Sequence, residues 1–303
     1  MYDLLVSREP CKACGGPRRY DRKPPYCSKE CEARSEGYSP STIAKLAKKG
    51  LTSEILGTSA WQPDALDKVE HIVASRVGIL SDLHIPIHST SWLALAVETF
   101  LRFDVKHVIL NGDVLDLNQI SRHAGSYHRR SSELNHDLEA AEAVLKILSK
   151  TFDKITWLMG NHDMRLIHHF GGEVSVKRAF SIVGSFPNLK MTSRSFVHVN
   201  DSIVVCHPRQ YSRIRGALAQ KLSLRWQKSV ATGHQHHACM TTSPCGKFQA
   251  VDIPCLAEIE MMDYVKNELT DHIEPVNGFG IIFGERIQVF DQFTPREIFK
   301  PST

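Results

Sequence analysis

Short, mostly apolar runs along the chain end abruptly in glycine, aspartate, asparagine or histidine. Runs of four or five such residues that stop at polar residues are typical of buried β-strands. On this pattern the sequence predicts strands at 77–80, 107–110, 155–159, 203–206 and 229–232. Two later runs rich in valine, isoleucine and phenylalanine, 280–283 and 286–290, predict further strands near the end of the chain.

A different spacing appears between these runs, where apolar residues recur every three or four positions. This spacing predicts α-helices at 92–103 and 133–150. The second helix would begin after a capping serine, Ser131 or Ser132, and would turn one apolar side inward. The residues on that side are Leu134, Leu138, Ala141, Leu145 and Leu148. Strands that alternate with helices in this way indicate an α/β protein.

Length and composition allow one large domain with a small appendage, because the chain has 303 residues of which 42% are hydrophobic. We expect a small module at 1–35, a helical linker at 36–75 and the main domain at 76–303. Two short helices predicted in the linker, 41–50 and 52–56, fit a strap packed on the main domain or a helix-turn-helix that reads DNA. No apolar run is long enough to span a membrane and the start does not resemble a signal peptide, so we expect a soluble, cytoplasmic protein.

Five short motifs follow the five predicted strands. They are Asp82-Leu83-His84, Gly112-Asp113-Val114-Leu115-Asp116, Gly160-Asn161-His162-Asp163, Val205-Cys206-His207-Pro208 and Gly233-His234-Gln235-His236. Side chains at the carboxyl ends of strands face the crevice in which open α/β sheets bind ligands. Any one of these motifs is common in an ordinary loop, whereas all five in this order indicate one shared site.

Aspartate, asparagine and histidine gathered at one point are ligands for divalent metal ions. Two ions about 3.5–4 Å apart can clamp both the attacking and the leaving oxygen of a displacement at phosphorus. Such a pair also lowers the pKa of a shared water, which makes a hydroxide nucleophile available near neutral pH. Because the set mixes oxygen and nitrogen ligands, we expect Mn, Fe or Zn rather than Mg or Ca.

In their order and spacing the five motifs resemble those of the calcineurin-like metallophosphoesterase superfamily, over residues 82–236. The resemblance implies a four-layer αββα sandwich, in which two mixed sheets lie between outer helices. It also implies a centre with two metal ions. The implied ligands are Asp82, His84 and His236 for the first ion, Asn161, His207 and His234 for the second, and Asp113 for both.

The same resemblance implies roles for two further residues. His162 would stand beside the metals as the acid, and Asp163 would orient the His162 ring. The GDVLD and GNHD forms are more similar to the DNA-repair exonuclease and bacterial phosphodiesterase branches than to the protein phosphatases. Those phosphatases carry a phosphate-binding arginine after the second aspartate, where this chain has Leu117.

Four cysteines near the start form two close pairs, Cys11 with Cys14 and Cys27 with Cys31. Two such pairs around a loop of about a dozen residues are typical of a structural zinc site with four thiolates. A segment this short cannot bury a core of its own, so the metal would supply its folding energy. The segment also resembles small zinc-binding modules at the ends of nucleic-acid enzymes; free or disulfide-bonded cysteines are the alternative.

Positive charge is concentrated near the predicted site although the net charge is only +4. No aspartate or glutamate occurs from His207 to Gly233, and Lys221, Arg225 and Lys228 are spaced for one helix face. Basic groups with interleaved aromatics fit a nucleic-acid backbone, whereas a solvated helix face is the alternative. The candidate substrate-binding residues are Arg122, His123, Arg129, Arg209, Lys221, Arg225 and Lys228.

The sequence thus predicts a metal-dependent phosphoesterase, most specifically a phosphodiesterase or nuclease that acts on nucleic acid. The alternative is a phosphatase or diesterase that acts on a small molecule or a phosphoprotein. A scaffold protein without activity is disfavoured, because every ligand position that the motifs define is filled.

Overall fold

The computed structural model describes residues 69–121, 134–169, 175–262 and 274–299, together with two short strands near the start. The chain divides into two units, Met1–Leu66 and Asp67–Thr303. In the first unit, β1 (Val6–Ser7) and β2 (Arg18–Arg19) pair in antiparallel orientation. The predicted linker helices lie outside the described residues.

The second unit contains two six-stranded sheets. The strands of the first sheet are β4 (Arg76–Leu80), β5 (His107–Asn111), β6 (Lys154–Leu158), β7 (Leu189–Thr192), β13 (Gly278–Phe283) and β14 (Arg286–Asp291). Their order is β14-β13-β4-β5-β6-β7. The strands from β4 to β7 are parallel, and β13 is antiparallel to both of its neighbours. The carboxyl ends of β4, β5 and β6 therefore lie side by side, at the edge of the sheet that the strand ends form.

The second sheet is also mixed. Its strands are β3 (His71–Ile72), β8 (Phe196–Val199), β9 (Ile203–Cys206), β10 (Ser229–Thr232), β11 (Cys239–Thr242) and β12 (Gln249–Asp252). Their order is β11-β12-β10-β9-β8-β3, with β9, β10 and β12 parallel. β3 lies within the segment predicted as a linker, yet it pairs with β8 and completes this sheet.

Helices cover the outer faces of both sheets. The described helices are α1 (Thr90–Arg102), α2 (Leu134–Thr151), α3 (Asp163–His169), α4 (Val176–Ala179), α5 (Ala217–Trp226) and α6 (Arg296–Phe299). α1 and α2 pack on the first sheet and α5 packs on the second, which confirms the predicted sandwich of two mixed sheets between helices. None of the helices in the described residues is long and apolar enough to cross a membrane.

The strands of the first sheet are buried on both faces, which explains their unbroken apolar sequences. In β4, Val77 and Ile79 point between the sheets and pack with Val205 of β9. Leu80 points the other way and packs in the same cluster as Phe100 of α1. A Cβ at Gly78 would lie 2.6 Å from the Phe100 ring, so the glycine lets this ring rest directly on the strand.

Phe100 offers a test of this packing, because it is fully buried and lies next to the half-exposed Leu101. Replacing Phe100 by alanine should lower the free energy of unfolding by about 3–5 kcal/mol, through lost burial and the cavity left behind. The Leu101→Ala control, at a side chain that is 54% exposed, should change it by about 0.5 kcal/mol or less. Denaturant unfolding measures both, and equal losses would contradict the described packing of α1.

Candidate metal centre

Five loops converge at the edge where the strands end. They follow β4, β5, β6, β9 and β10, and they carry the five motifs. Backbone hydrogen bonds join the first two loops, since His84 N–H donates to the Asp113 carbonyl at 2.9 Å. The last two loops are joined in the same way, since Gly233 N–H donates to the Cys206 carbonyl at 2.9 Å. The two pairs are connected in turn, since His234 N–H donates to the Asp82 carboxylate at 3.0 Å, so these four loops form one layer.

Three predicted ligands of the first metal lie together. Asp82, His84 and His236 each offer a ligand atom, and these atoms lie within 4.8 Å of one another. The Nε2 atom of His236 is 3.1 Å from an Asp82 carboxylate oxygen and 3.4 Å from the Nε2 atom of His84. All three residues are buried. A cation between these atoms would have two imidazole nitrogens and one carboxylate as ligands.

The predicted ligands of the second metal form a neighbouring group. Asp113, His207 and His234 bring their ligand atoms within 4.8 Å of one another. The Nε2 atom of His207 is 3.3 Å from Asp113 Oδ2 and also 3.3 Å from the Asn161 side-chain oxygen. The structure thus gathers all seven predicted ligands into two adjacent groups, with Asp113 in the second group.

Hydrogen bonds behind the ligands fix which ring nitrogen faces each group. The Nδ1 atom of His207 donates to the Asn111 carbonyl at 2.7 Å, and Nδ1 of His84 lies 3.1 Å from Asp116 Oδ1. Both contacts leave Nε2 directed into the site. Such support from a carbonyl or carboxylate is usual for histidines that bind metals.

Five of the seven predicted ligands adopt the left-handed backbone conformation, which residues other than glycine rarely adopt. They are Asp82, His84, Asp113, His234 and His236, with φ between 49° and 70°. Unfavourable backbone angles persist where surrounding contacts hold them and where function requires them. In both the Asp82–His84 and the His234–His236 segments, alternate residues take this conformation, so both ligands of each motif project from one short turn.

Two motif glycines are required by close contact. A Cβ on Gly160 would lie 2.1 Å from the Asp113 backbone nitrogen, and a Cβ on Gly112, which has φ +74°, would lie 2.4 Å from the His207 ring. Neither position has room for a side chain. The glycines therefore let the loops after β5, β6 and β9 approach closely enough for their ligands to meet.

The donor set fits two divalent metal ions at adjacent positions. It combines carboxylate, amide and imidazole donors, five of the seven residues are buried, and two rings are oriented from behind. Asp82, His84 and His236 would hold one ion, and Asp113, His207 and His234 would hold the other with Asn161 at their side.

Electrostatic effects within this site are strong. Burial alone would lower the pKa of His207, but the carboxylates of Asp113 and Asp82 outweigh burial and raise it to about 10. Burial and the neighbouring His207 cation lower the pKa of His234 to about 4. Burial opposes ionisation of Asp113, yet the surrounding imidazoles hold its pKa well below the usual range. Protons and metal ions therefore compete for the same nitrogen atoms.

The structure differs from the prediction for the residue that orients His162. The Nδ1 atom of His162 lies 2.9 Å from the Asp116 carbonyl oxygen and 3.3 Å from Asp116 Oδ1, so Asp116 rather than Asp163 holds the ring. Asp116 Oδ1 also lies 3.1 Å from Nδ1 of His84, so Asp116 contacts both His162 and a predicted metal ligand. In the sequence both Asp116 and Asp163 are suitable partners for this ring, and only the folded loops distinguish them.

Asp163 instead supports the loop itself. Its carboxylate accepts hydrogen bonds from Leu115 N–H and Gly160 N–H, both at 3.0 Å, and from the Trp157 indole at 3.3 Å. Burial and the nearby Asp113 carboxylate raise the pKa of Asp163 to about 6. Among the described residues none of its hydrogen bonds goes to the His162 ring, so its contribution is to hold two loops together.

The predicted basic residues are distributed more widely than expected. Arg209 is exposed on the loop after His207, and Lys221 and Arg225 are exposed on α5. α5 ends at Trp226, so the expectation that Lys228 shares its face is wrong. Lys228 directly precedes β10, whereas the ligands follow β10, and it therefore lies at the opposite edge of the sheet. Arg122, His123 and Arg129 lie outside the described residues.

A two-sheet sandwich with paired Asp/His metal groups at its strand ends is the architecture of a metal-dependent phosphoester hydrolase. Residues 75–250 match the calcineurin-like phosphoesterase family, and the chain belongs to that family of enzymes. No curated protein has a significantly similar sequence.

Several solved structures resemble the chain at low sequence identity. A nuclease MPE from Pseudomonas putida is 16% identical, with 71% of this chain and 87% of that chain covered and a TM-score of 0.34. The phosphoesterase Yfce from E. coli is 12% identical, with coverages of 71% and 98% and a TM-score of 0.35. Vacuolar protein sorting 29 from Cryptosporidium parvum is 13% identical, with coverages of 72% and 96% and a TM-score of 0.37.

The contact at Gly160 predicts the effect of a single methyl group. Gly160→Ala should push the loop after β6 away from Asp113, because backbone atoms block the new Cβ at 2.1 Å. We expect weaker metal binding at the second group and a rate of diester hydrolysis lower by about 10²-fold, the usual cost of a displacement near 1 Å. Gly246→Ala is the control for backbone strain without a steric clash, because Gly246 has φ +70° in the exposed turn between β11 and β12 and nothing lies within 4 Å of its Cβ position. Full metal content and normal turnover in Gly160→Ala would contradict the described loop contact.

The raised pKa of His207 predicts that metal binding releases a proton. Without metal this ring is a cation below about pH 10, and Nε2 must lose its proton before it can coordinate. The apparent affinity for Mn²⁺ should therefore rise with pH, by up to about tenfold per unit for each proton released. Calorimetric titration at pH 7, in buffers of different ionisation enthalpy, measures the released protons. Binding without proton release would show that His207 is not a ligand or is already neutral.

Proposed function

We propose that the protein is a phosphodiesterase that hydrolyses nucleic acid at the two-metal centre. The observation that carries this proposal is an exposed basic loop, residues 209–215, which directly follows the metal ligand His207. Its sequence is Arg-Gln-Tyr-Ser-Arg-Ile-Arg, with three arginines and no acidic residue. Cations next to a phosphoryl-transfer site favour a substrate with several phosphates, because each contact neutralises one of them.

The loop also presents apolar surface. Tyr211 is 40% exposed and Ile214 is 71% exposed, between and beside the exposed Arg209, Arg213 and Arg215. Aromatic side chains among cations suit single-stranded nucleic acid, because bases stack on the ring while the cations bind the backbone. A small phosphate ester would need only part of this surface.

Gln235 fixes this loop relative to the metal centre. It is buried and stands between the ligands His234 and His236. Its side-chain oxygen accepts from Ser212 N–H at 2.7 Å, and its side-chain nitrogen donates to the Gln210 carbonyl at 2.8 Å. A substrate strand bound along the loop would therefore lie at a fixed distance from the ligands that Gln235 separates.

The chemistry expected at the centre follows from the residues described above. Bound divalent ions, which we propose are Mn, Fe or Zn, would supply a Lewis acid for the phosphoryl oxygens and a strong nucleophile near neutral pH. His162, once it carries a proton on Nε2 as well as on Nδ1, would give the Nε2 proton to the departing oxygen, because its Nδ1 is held by the Asp116 carbonyl. The ring is only 15% exposed, which limits competition from water.

We further propose that Cys11, Cys14, Cys27 and Cys31 bind one structural zinc ion and that this module helps to position the nucleic acid. The cysteines lie outside the described residues, and their spacing supports the proposal. The paired strands β1 and β2 lie on either side of the first two cysteines in the sequence. Zinc analysis tests this, since Cys27→Ser should lose one tightly bound zinc ion and leave hydrolysis of a small chromogenic diester largely intact.

The proposed substrate predicts how binding responds to salt. A plot of the logarithm of DNA affinity against the logarithm of salt concentration should have a negative slope. Its magnitude should be about 0.9 for each duplex phosphate neutralised and about 0.7 for each phosphate of a single strand. The Arg209→Ala/Arg213→Ala variant should reduce the magnitude of this slope by the value expected for up to two phosphate contacts. Filter binding across a salt series measures it, with the same variants assayed on bis-p-nitrophenyl phosphate.

The matched control removes two charges at the opposite edge of the sheet. Lys228 and Lys247 line a groove there with Phe248 and Arg286, and their double alanine variant should leave the slope unchanged. An equal reduction of the slope in both double variants would mean that overall charge, rather than the loop, governs binding. Hydrolysis of a phosphomonoester or cyclic nucleotide but not of DNA or RNA would instead favour a small-molecule phosphoesterase.

A further inference from the structure

Arg165 is a cation that the five motifs do not include, yet it lies at the centre. It belongs to α3, which begins at Asp163 directly after the GNH segment. Its backbone N–H donates to the His162 carbonyl at 2.9 Å, so it lies one turn beyond His162 on the same side. The helix therefore directs the Arg165 side chain back toward the loop that carries the proposed acid.

Three contacts with Asp116, Asn118 and His162, among the residues that the structure describes, help to place the guanidinium group. Its Nη1 atom donates to the Asp116 carbonyl at 2.8 Å and to the Asn118 side-chain oxygen at 3.0 Å. Its Nη2 atom lies 3.0 Å from Nε2 of His162. The Asp116 carbonyl thus accepts from both Arg165 and His162, and the two side chains lie side by side at the mouth of the site.

The contact with Nε2 matters because this atom is the only nitrogen of His162 that can face a substrate. Nδ1 is occupied by the Asp116 carbonyl at 2.9 Å. A ring nitrogen has one in-plane hydrogen-bonding position. A substrate oxygen that bonds to Nε2 must therefore take the position that the Nη2 atom of Arg165 occupies. The two Nη1 contacts can meanwhile keep the guanidinium within reach of that oxygen.

We propose that Arg165 is a substrate-binding residue whose guanidinium binds a phosphoryl oxygen beside His162. With substrate bound, Nη2 moves from Nε2 to the phosphoryl group, and Nη1 retains its bonds to Asp116 and Asn118. The planar guanidinium suits this task, because it can offer parallel donors to two phosphate oxygens. The proposal applies to any phosphoester, so it does not depend on a nucleic-acid substrate.

The test uses the full-length protein loaded with Mn²⁺ and bis-p-nitrophenyl phosphate as substrate. Arg165→Gln should keep both catalytic metals but lower kcat/KM by about 10²-fold, the order found when one preorganised donor is removed from a transition state. Its affinity for inorganic phosphate, measured by calorimetry, should fall about tenfold through loss of a charge-assisted contact. Arg178→Gln, at an exposed arginine of α4, is the matched control and should change neither value.

Two further variants separate binding from support of the loop. Arg165→Lys should recover part of the phosphate affinity, because it keeps the charge without the fork. Arg165→Ala should regain activity when guanidinium chloride is added, whereas Arg178→Ala should not respond. Unchanged phosphate affinity in Arg165→Gln would overturn the proposal. Loss of metal from Arg165→Gln together with no rescue of Arg165→Ala would also overturn it, because both would show a purely structural role.

Discussion

The contact between Gly160 and the backbone of Asp113 is the constraint on which the rest of the centre depends. It brings the loop after β6 directly against the loop after β5, where no side chain fits between them. His162 N–H can then donate to an Asp113 carboxylate oxygen at 2.7 Å, and the Asp163 carboxylate can bond to both loops. The placement of His162 and Arg165 follows, because both reach the Asp116 carbonyl from the loop that this contact holds in place.

Each metal group draws ligands from both sheets. In the first group, Asp82 and His84 follow a strand of the first sheet and His236 follows a strand of the second. In the second group, Asp113 comes from the first sheet, whereas His207 and His234 come from the second. The distance between ligands is therefore set by the apolar layer between the sheets. Bound metal would in turn join the sheets at one edge and stabilise the folded state.

Strong local patterns made much of the fold predictable and indicated the seven residues that the structure gathers into two groups. The apolar runs and helical spacings predicted β4, β5, β6, α1 and α2 to within two residues, because packing on both faces leaves a clear signal. β3 was missed because it has two residues and, among the described strands, pairs only with β8. Lys228 was misplaced because helical spacing continues past the left-handed Gln227 that ends α5. The partner of His162 could not be predicted, because Asp116 and Asp163 are equally suitable in sequence and only the folded loops distinguish them.

The anchor of the basic loop has a consequence for the diversity of substrates that this framework can support. Gln235 holds the loop only through the main chain, by the Ser212 N–H and the Gln210 carbonyl. Neither bond depends on which side chains the loop carries. Substitutions at Arg209 can therefore accumulate without breaking either bond, whereas Tyr211 also packs against His237, next to His236, with ring centroids 5.9 Å apart. Selectivity could then drift at Arg209 independently of the hydrolytic machinery, and a library randomised at this position with Tyr211 kept would explore new esters on an intact framework.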